Sequence, residues 1–186
     1  MIEKCTFYNN SAGRNNINNT RPVLLKANGH GGAILIRLSK INAASISISD
    51  SNFSSNFAEV DGGAVYFSLS ENFSSSSVSI RNSQFVNNTA LVSSGGAISL
   101  NSYRGSFNNS FIIQDCEFER NKADSGGALG IALYDTTIDS FDLPDSASLE
   151  NCSFHGNIAV NEGTAVGLFS LVHVDESGFP VNFTNW

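Results

Sequence analysis

Short runs in which every second residue is apolar recur along the chain, separated by Asn, Asp, Ser and Gly. Ile34 and Ile36 form one such run, and Ile46 and Ile48 form the next. Alternation with a period of two is typical of a β-strand that buries one face, whereas Asx and Gly residues favour tight turns. No segment has the length and the periodicity of a packed helix. The pattern therefore predicts an all-β protein built from short strands and tight turns.

The runs belong to a repeat that occurs five times. Each copy contains a Phe, an Asn three residues later, an Ala two residues after that Asn, and then Gly-Gly-Ala, which becomes Gly163-Thr164-Ala165 in the last copy. The Phe residues of the five copies are Phe7, Phe53, Phe85, Phe118 and Phe154. The Asn residues are Asn10, Asn56, Asn88, Asn121 and Asn157. Two residues before each Phe, at what we call the reference position, lie Cys5, Ser51, Ser83, Cys116 and Cys152.

A repeat of this length, with three alternating runs, suits one coil of a solenoid. Stacked coils place Phe on Phe and Asn on Asn at strand spacing, about 4.8 Å, and Asn residues stacked in register can hydrogen bond along their column. The Gly doublet suits a corner with positive φ or a close approach of two backbones. We predict a right-handed parallel β-helix of about five coils. A leucine-rich horseshoe would need a Leu-x-x-Leu-x-Leu frame, which the chain lacks.

Length and charge narrow the class of protein. The 186 residues, 41% of them hydrophobic, suffice for one β-helix domain over 1–186. A net charge of -7 with only 15% charged residues argues against binding nucleic acid or an anionic membrane surface. No apolar run approaches the roughly 20 residues of a transmembrane helix, and the polar start MIEKCTFYNN does not fit a signal peptide. Because repeats run from Met1 to Trp186 without a capping segment, we expect a segment of a longer solenoid.

The paired signatures Phe-x-x-Asn and Gly-Gly-Ala followed by Ile, Leu or Val resemble the repeats of the chlamydial polymorphic outer membrane proteins. Similar repeats occur in large extracellular proteins of other bacteria and of some eukaryotes. The resemblance covers nearly the whole chain in five copies in phase. It implies a right-handed β-helix on a cell surface with a role in adhesion, and it supplies no catalytic residues to transfer. The Gly-Thr-Ala of the last copy and the two Ser residues at reference positions depart from the family pattern.

The three cysteines share the reference position, where they point the same way as the Phe residues. One interpretation is a column of small buried hydrophobic residues. The other is a disulfide between Cys116 and Cys152 of neighbouring coils, whose Cα atoms would be about 4.8 Å apart and within disulfide range. Cys5 lies next to Ser51 and has no partner of its own. No Cys or His spacing suggests zinc.

Many β-helices act on polysaccharides, which requires carboxylates that converge on one groove. The residues before the Gly doublets are His30, Asp61, Ser94, Ser125 and Glu162. Asp61 and Glu162 are three coils apart, roughly 14 Å, whereas glycosidic chemistry needs about 5–10 Å. The three histidines, His30, His155 and His173, occupy different phases of the repeat. We therefore predict no catalytic residues, no cofactor and no metal ligands.

Two further polar features are candidates for binding or modification. Asp135, Asp139, Asp142 and Asp145 form an acidic loop that could bind calcium, but their spacing matches no known calcium loop, so a solvated loop is the expected interpretation. Asn-x-Ser/Thr sequons, the acceptors for N-glycosylation, occur at Asn9, Asn18, Asn52, Asn72, Asn87, Asn108, Asn151 and Asn182. Asn52, Asn9 and Asn87 should face outward. The alternative is that these are unmodified turn residues.

These features predict a non-enzymatic, extracellular or cell-surface β-solenoid with a structural or adhesive role, in a glycosylated filament or appendage. Its expected partners are neighbouring coils, copies of itself end to end, and surface glycans or receptors. The alternative is a carbohydrate-active β-helix enzyme of the lyase or hydrolase type.

Overall fold

The computed structural model describes residues 1–13, 29–70, 74–103, 108–133, 146–170 and 181–184. The strands of this part of the chain form four parallel sheets, which we call A, B, C and D in the order in which the chain visits them. The described residues contain no helix. The predicted fold class, an all-β parallel β-solenoid, is confirmed.

Each sheet collects one strand from each successive repeat. Sheet A contains six strands: Ile2–Glu3, Ser45–Ser49, Ser77–Arg81, Ser110–Gln114, Ser146–Glu150 and Val181–Thr184. Sheet B contains five: Thr6–Tyr8, Asn52–Ser54, Gln84–Val86, Glu117–Glu119 and Ser153–His155. Sheet C contains five: Ser11–Ala12, Phe57–Ala58, Thr89–Ala90, Lys122–Ser125 and Ile158–Glu162. Sheet D contains five: Ile34–Ser39, Val65–Ser70, Ile98–Ser102, Leu129–Leu133 and Val166–Ser170.

We call each successive set of A, B, C and D strands a rung, numbered 1 to 5. The sequence predicted three strands in each repeat, and the structure has four. The additional strand, in sheet C, carries the repeated Ala and is only two residues long in rungs 1 to 3. A strand of two residues cannot display an alternating pattern, so the period-two rule cannot detect it.

The interior consists of columns of like residues, as the repeat predicts. Phe85 is fully buried, and its ring stacks on Phe53 and on Phe118 with centroid separations of 4.8 Å and 5.0 Å. The rings are parallel to within 8° because the strands that carry them pair in register. Phe7 and Phe154, in the outermost rungs, are only partly buried. The predicted stacking of Phe85 and Phe118 in the interior is confirmed.

The repeated Asn forms a hydrogen-bonded ladder along the rod. The Nδ2 atom of Asn88 donates to Oδ1 of Asn121 at 3.0 Å and to the backbone oxygen of Phe53 at 2.9 Å. Its Oδ1 accepts from the backbone N–H and from Nδ2 of Asn56, at 3.0 Å and 2.9 Å. Asn88 is fully buried, so this pattern satisfies its donors and acceptors without water. The predicted bonding along the Asn column is confirmed.

The two glycines of each doublet serve different purposes. The first has positive φ, as at Gly95 with φ 69°, which a residue with a Cβ adopts at a cost. The second touches the next rung, since a Cβ at Gly96 would lie 2.1 Å from the carbonyl oxygen of Gly127. Both reasons given by the sequence for a Gly doublet therefore apply, one to each residue.

The corner between sheets A and B depends on the reference position. The preceding residue has positive φ, for example Asp50 with φ 49° and Asn82 with φ 47°. Ser83 donates its hydroxyl to the backbone oxygen of Arg81 at 2.8 Å and accepts the backbone N–H of Ser51 at 3.2 Å. The Sγ atom of Cys116 donates to the carbonyl oxygen of Gln114 at 3.2 Å in the same way. Ser and Cys are therefore interchangeable here, because each is small and offers one donor to the turn.

Candidate functional site

The described sequons lie on the outside of the rod. Asn9, Asn87, Asn108 and Asn151 are exposed, and Asn52 is half-buried on the outer face of sheet B. The predicted outward placement of Asn9 and Asn87 is confirmed. Asn18 and Asn72 lie outside the described residues, and so does the side chain of Asn182.

Several of these asparagines already contact a neighbouring rung. Nδ2 of Asn151, the atom that would carry a glycan, donates to Oδ1 of Asp115 at 2.6 Å. The Asn87 Oδ1 atom accepts from Nε of Arg120 at 3.1 Å, which leaves its Nδ2 available. Of these two sequons, Asn87 is therefore the better placed for modification, whereas Asn151 would have to give up its bond. N-glycosylation itself stays a prediction.

Cys116 and Cys152 are neighbours in adjacent rungs, as their reference positions predict. Both are buried free thiols, and Cys5 is a partly buried one. The neighbouring Cys152 thiol, together with burial, raises the pKa of Cys116 above its ordinary value. The neighbouring Cys116 thiol lowers the pKa of Cys152. The disulfide between these two residues stays a prediction.

A buried polar cluster lies where sheet C meets sheet D. The Nδ1 atom of His30 is 3.2 Å from Oδ2 of Asp61, and the His30 ring stacks on Tyr66 with a centroid separation of 4.5 Å. The other carboxylate oxygen of Asp61 accepts the backbone N–H and the hydroxyl of Ser94, at 3.0 Å and 3.2 Å. Ser94 also contacts the hydroxyl of Ser99, with the two oxygens 3.3 Å apart. Three consecutive rungs therefore contribute one polar side chain each at the same repeat position.

The outward side chains of sheet D become smaller from rung 2 to rung 4. The residues in one outward column of this sheet are Leu35, Tyr66, Ser99, Gly130 and Gly167. A Cβ at Gly130 would lie 2.6 Å from the Cβ of Ser94, so Gly is required there by the segment that leans over the sheet. The next outward column changes from Asn101 in rung 3 to Ala132 in rung 4. Ser94 fills the space above Gly130, whereas the change to Ala132 leaves a depression on this face.

The depression is closed on one side by segments of unequal length. Four residues separate the repeated Ala from the Gly doublet in rung 3, but only two do so in rung 4. The backbone N–H groups of Asp124 and Ser125 in rung 4 both donate to the carbonyl oxygen of Ser93 in rung 3. The mismatch produces a cavity of about 200 Å³. We call it the D-corner cavity, and its lining is Asp61, Val92, Ser93, Ser94, Asn101, Asp124, Ser125 and Ala132.

Asn101 is the buried side chain of this lining whose polar atoms are incompletely paired. It is 7% exposed, and its Nδ2 atom donates to the hydroxyls of Tyr66 and Tyr103 at 3.1 Å and 3.3 Å. Its Oδ1 atom is buried and has no hydrogen-bond partner. Burial and the hydrogen bond to Tyr103 raise the pKa of the Tyr66 hydroxyl, so that group stays protonated at neutral pH. An unpaired buried carbonyl oxygen is unusual in a folded protein.

The sequence analysis singled out the residues before the Gly doublets but did not identify which of them are in contact. It tested Asp61 against Glu162, three rungs away, and missed the contact of Asp61 with His30 and Ser94 in the adjacent rungs. The signal was present, because residues at one repeat position in adjacent rungs must lie about 4.8 Å apart. Asn101 had no such signal, since its burial depends on the segments of unequal length beside it.

Other predicted features are absent from, or lie outside, the described part of the chain. The acidic residues Asp135, Asp139, Asp142 and Asp145 and the residue His173 lie outside it. Within it, no group of three or more His, Cys, Asp or Glu residues is arranged to hold a metal ion. None of its elements is a helix with the length and apolarity needed to cross a membrane.

Comparison with protein families gives one match. The family model for the Chlamydia polymorphic membrane protein repeat matches residues 4–37 and 50–68, which is less than a third of the chain. No curated protein and no solved structure matches the chain. The matched ranges contain the Phe-x-x-Asn and Gly-Gly-Ala segments of rungs 1 and 2, and the later rungs repeat them in register with these. Rungs 1 and 2 are therefore similar to the repeat of the Chlamydia polymorphic membrane proteins, and this similarity suggests a surface-associated β-helix.

Proposed function

We propose that this chain is a non-enzymatic, extracellular module that acts as a rigid rod at a cell surface, with a structural or adhesive role. The observation that carries the proposal is the use of the repeat motif. Its Phe residues fill the interior, its Asn residues satisfy one another, and its glycines allow the rungs to approach. The residues that recur at the same position of each repeat therefore have an architectural role. The loops and the outward-facing columns remain for contacts with partners.

The alternative function, a carbohydrate-active enzyme, would have to use the carboxylates of the D-corner cavity. Asp61 and Asp124 line the D-corner cavity from rungs 2 and 4, roughly 10 Å apart by strand spacing. However, one oxygen of Asp61 accepts two hydrogen bonds from Ser94, and the other lies 3.2 Å from Nδ1 of His30. A carboxylate held in this way is a poor proton donor or nucleophile for glycoside cleavage. This arrangement favours binding over hydrolysis.

The close packing of the rungs at the Gly doublets restricts how copies of the chain can join end to end in a filament. A Cβ at Gly32, Gly63, Gly96 or Gly127 would lie 2.0–2.2 Å from a carbonyl oxygen of the following rung. Rung 5 carries Thr164 at this position, and Thr164 is exposed. A further rung of the same geometry would therefore collide with its Cβ. Copies of the chain that meet at this end must leave sheet D discontinuous.

Two measurements test the proposal. The purified chain is incubated with a panel of neutral and acidic polysaccharides, and new reducing ends and unsaturated products are measured. We expect no product above the level of a heat-unfolded control. In parallel, an antibody against the folded rod is applied to intact and to permeabilised source cells. Labelling of intact cells is the expected result, and product release or labelling only after permeabilisation would refute the proposal.

A further inference from the structure

We propose that the D-corner cavity binds a single neutral pyranose unit of a glycan. The inference deepens the adhesive role proposed above and rests on it for the source of the sugar, a surface glycan. The site itself is argued from the cavity. It is built from three adjacent rungs, and its lining includes Ala132, the small residue that follows Asn101 in the same outward column of sheet D.

The size of the cavity limits the ligand. A volume of about 200 Å³ equals that of about seven waters at liquid density. This volume suits one sugar ring, whereas a peptide or an oligosaccharide would have to lie mainly outside it. The cavity opens at the corner of the rod, so a terminal sugar can enter while the rest of its chain stays in solvent.

The polar groups of the cavity match hydroxyl groups. Asp124 accepts one bond, from Nδ2 of Asn161 at 2.7 Å to its Oδ1, and Oδ2 remains as an acceptor. Asn101 contributes a buried amide with an unpaired oxygen. Ser93 and Ser125 carry hydroxyls, which can donate as well as accept. A sugar hydroxyl also does both, so it can pair with every one of these groups.

The apolar side chains and the negative charge of the cavity lining disfavour other classes of small ligand. Val92 and Ala132 line the cavity beside the polar groups, and such apolar side chains pack against the C–H face of a pyranose. Two carboxylates in the lining and a net charge of -7 disfavour an acidic sugar or a phosphate. A metal cation is disfavoured because the described residues provide no group of three or more His, Cys, Asp or Glu side chains that could hold one. The remaining class is a neutral hydroxylated ring.

The test uses the full chain labelled with ¹⁵N and a panel of glucose, galactose, mannose, fucose and N-acetylglucosamine. Glucuronate and calcium serve as comparison ligands. We expect at least one neutral sugar to shift the amide resonances of Asn101 and Asp124 in a saturable way. The conservative variant Asp124→Asn should weaken that binding at least about tenfold, because it removes a charge-assisted hydrogen bond. Asn101→Leu should weaken it to a similar degree.

Asp115→Asn is the matched control. Asp115 also accepts from an Asn of the next rung, at 2.6 Å, but it is exposed and lies outside the cavity. Its substitution should leave the affinity within about twofold of the parent, since it touches no sugar. The proposal is overturned if no neutral sugar gives a saturable shift or if only calcium or glucuronate binds. It is also overturned if Asp124→Asn and Asn101→Leu both bind the sugar as the parent does. Sugar binding without surface labelling of cells would instead refute the proposed function and leave this site standing.

Discussion

The Asn ladder makes a sharp prediction about stability, because one substitution in the middle of it disturbs three rungs. In Asn88→Ala, the backbone N–H of Asn56 loses its acceptor, and one hydrogen of the Asn56 amide loses its partner as well. Asn56 and Asn88 are both buried, at 1% and 0% exposure, so water cannot replace the lost bonds without disrupting the rod. Two unsatisfied buried donors should cost about 2–6 kcal/mol.

Asn10→Ala is the matched control at the end of the same ladder. Its Nδ2 atom donates to Oδ1 of Asn56, but Asn10 is exposed and the Asn56 oxygen keeps its bond from the Asn10 backbone N–H. The loss should be about 0.5–1.5 kcal/mol, the net value of one hydrogen bond. Urea unfolding followed by circular dichroism measures both, as shifts of the midpoint at constant slope. Equal losses for the two variants would refute the ladder as the source of stability.

Asn88→Asp adds a test with a definite sign. The introduced carboxylate cannot donate, so it faces the Phe53 carbonyl and the Asn121 Oδ1 atom in a buried site. Both burial and these acceptors raise the pKa of the introduced group in the folded state above its unfolded value. A raised pKa means that the folded variant binds the proton more tightly. Relative to the parent, this variant should therefore gain stability as pH falls from 7 to 4. A difference from the parent that is constant over this pH range would contradict the prediction.

Three further predictions follow from the columns and corners of the rod. Phe85→Ala should lower the free energy of unfolding by about 3–5 kcal/mol, because the side chain is fully buried between two rings, and Phe7→Ala should cost clearly less in the same urea assay. Gly96→Ala should cost about 3 kcal/mol or more, because its Cβ meets the Gly127 oxygen, whereas Thr164→Gly should change stability by no more than about 1 kcal/mol. Native material should carry N-glycans on Asn52, Asn87 and Asn108, so its intact mass should fall after enzymatic deglycosylation, and a mass equal to that of the bare chain would refute this.

The columns of the rod were predictable from sequence because each is set by one repeat position. Phe85, Asn88 and the Gly95-Gly96 doublet each recur in phase, and stacking at strand spacing follows directly from the recurrence. The structure adds the reason for each glycine of the doublet: Gly95 has positive φ, and Gly96 lies too close to the next rung to carry a side chain. It also shows why the reference position accepts both Ser and Cys.

The fourth sheet and the D-corner cavity were not predictable in the same way. The strands of sheet C are too short in rungs 1 to 3 to show alternation. The cavity arises from a difference between rungs, the longer segment before Gly95 and the shorter one before Gly126. An alignment that emphasises what the repeats share treats such a difference as a variable gap. A site that depends on a difference between repeats is therefore found only from the structure, whereas the regular columns can be predicted from the sequence.

The claim that the repeat motif is architecture is tested most directly by hydrogen exchange of Asn side-chain amides, measured by NMR on the folded chain without glycans. The Nδ2 groups of the buried residues Asn56, Asn88 and Asn121 each donate two hydrogen bonds, whereas the side chain of Asn87 is exposed. We predict that the three ladder amides exchange far more slowly than that of Asn87, at rates that track global unfolding. Ladder amides that exchange as fast as that of Asn87 would contradict the account.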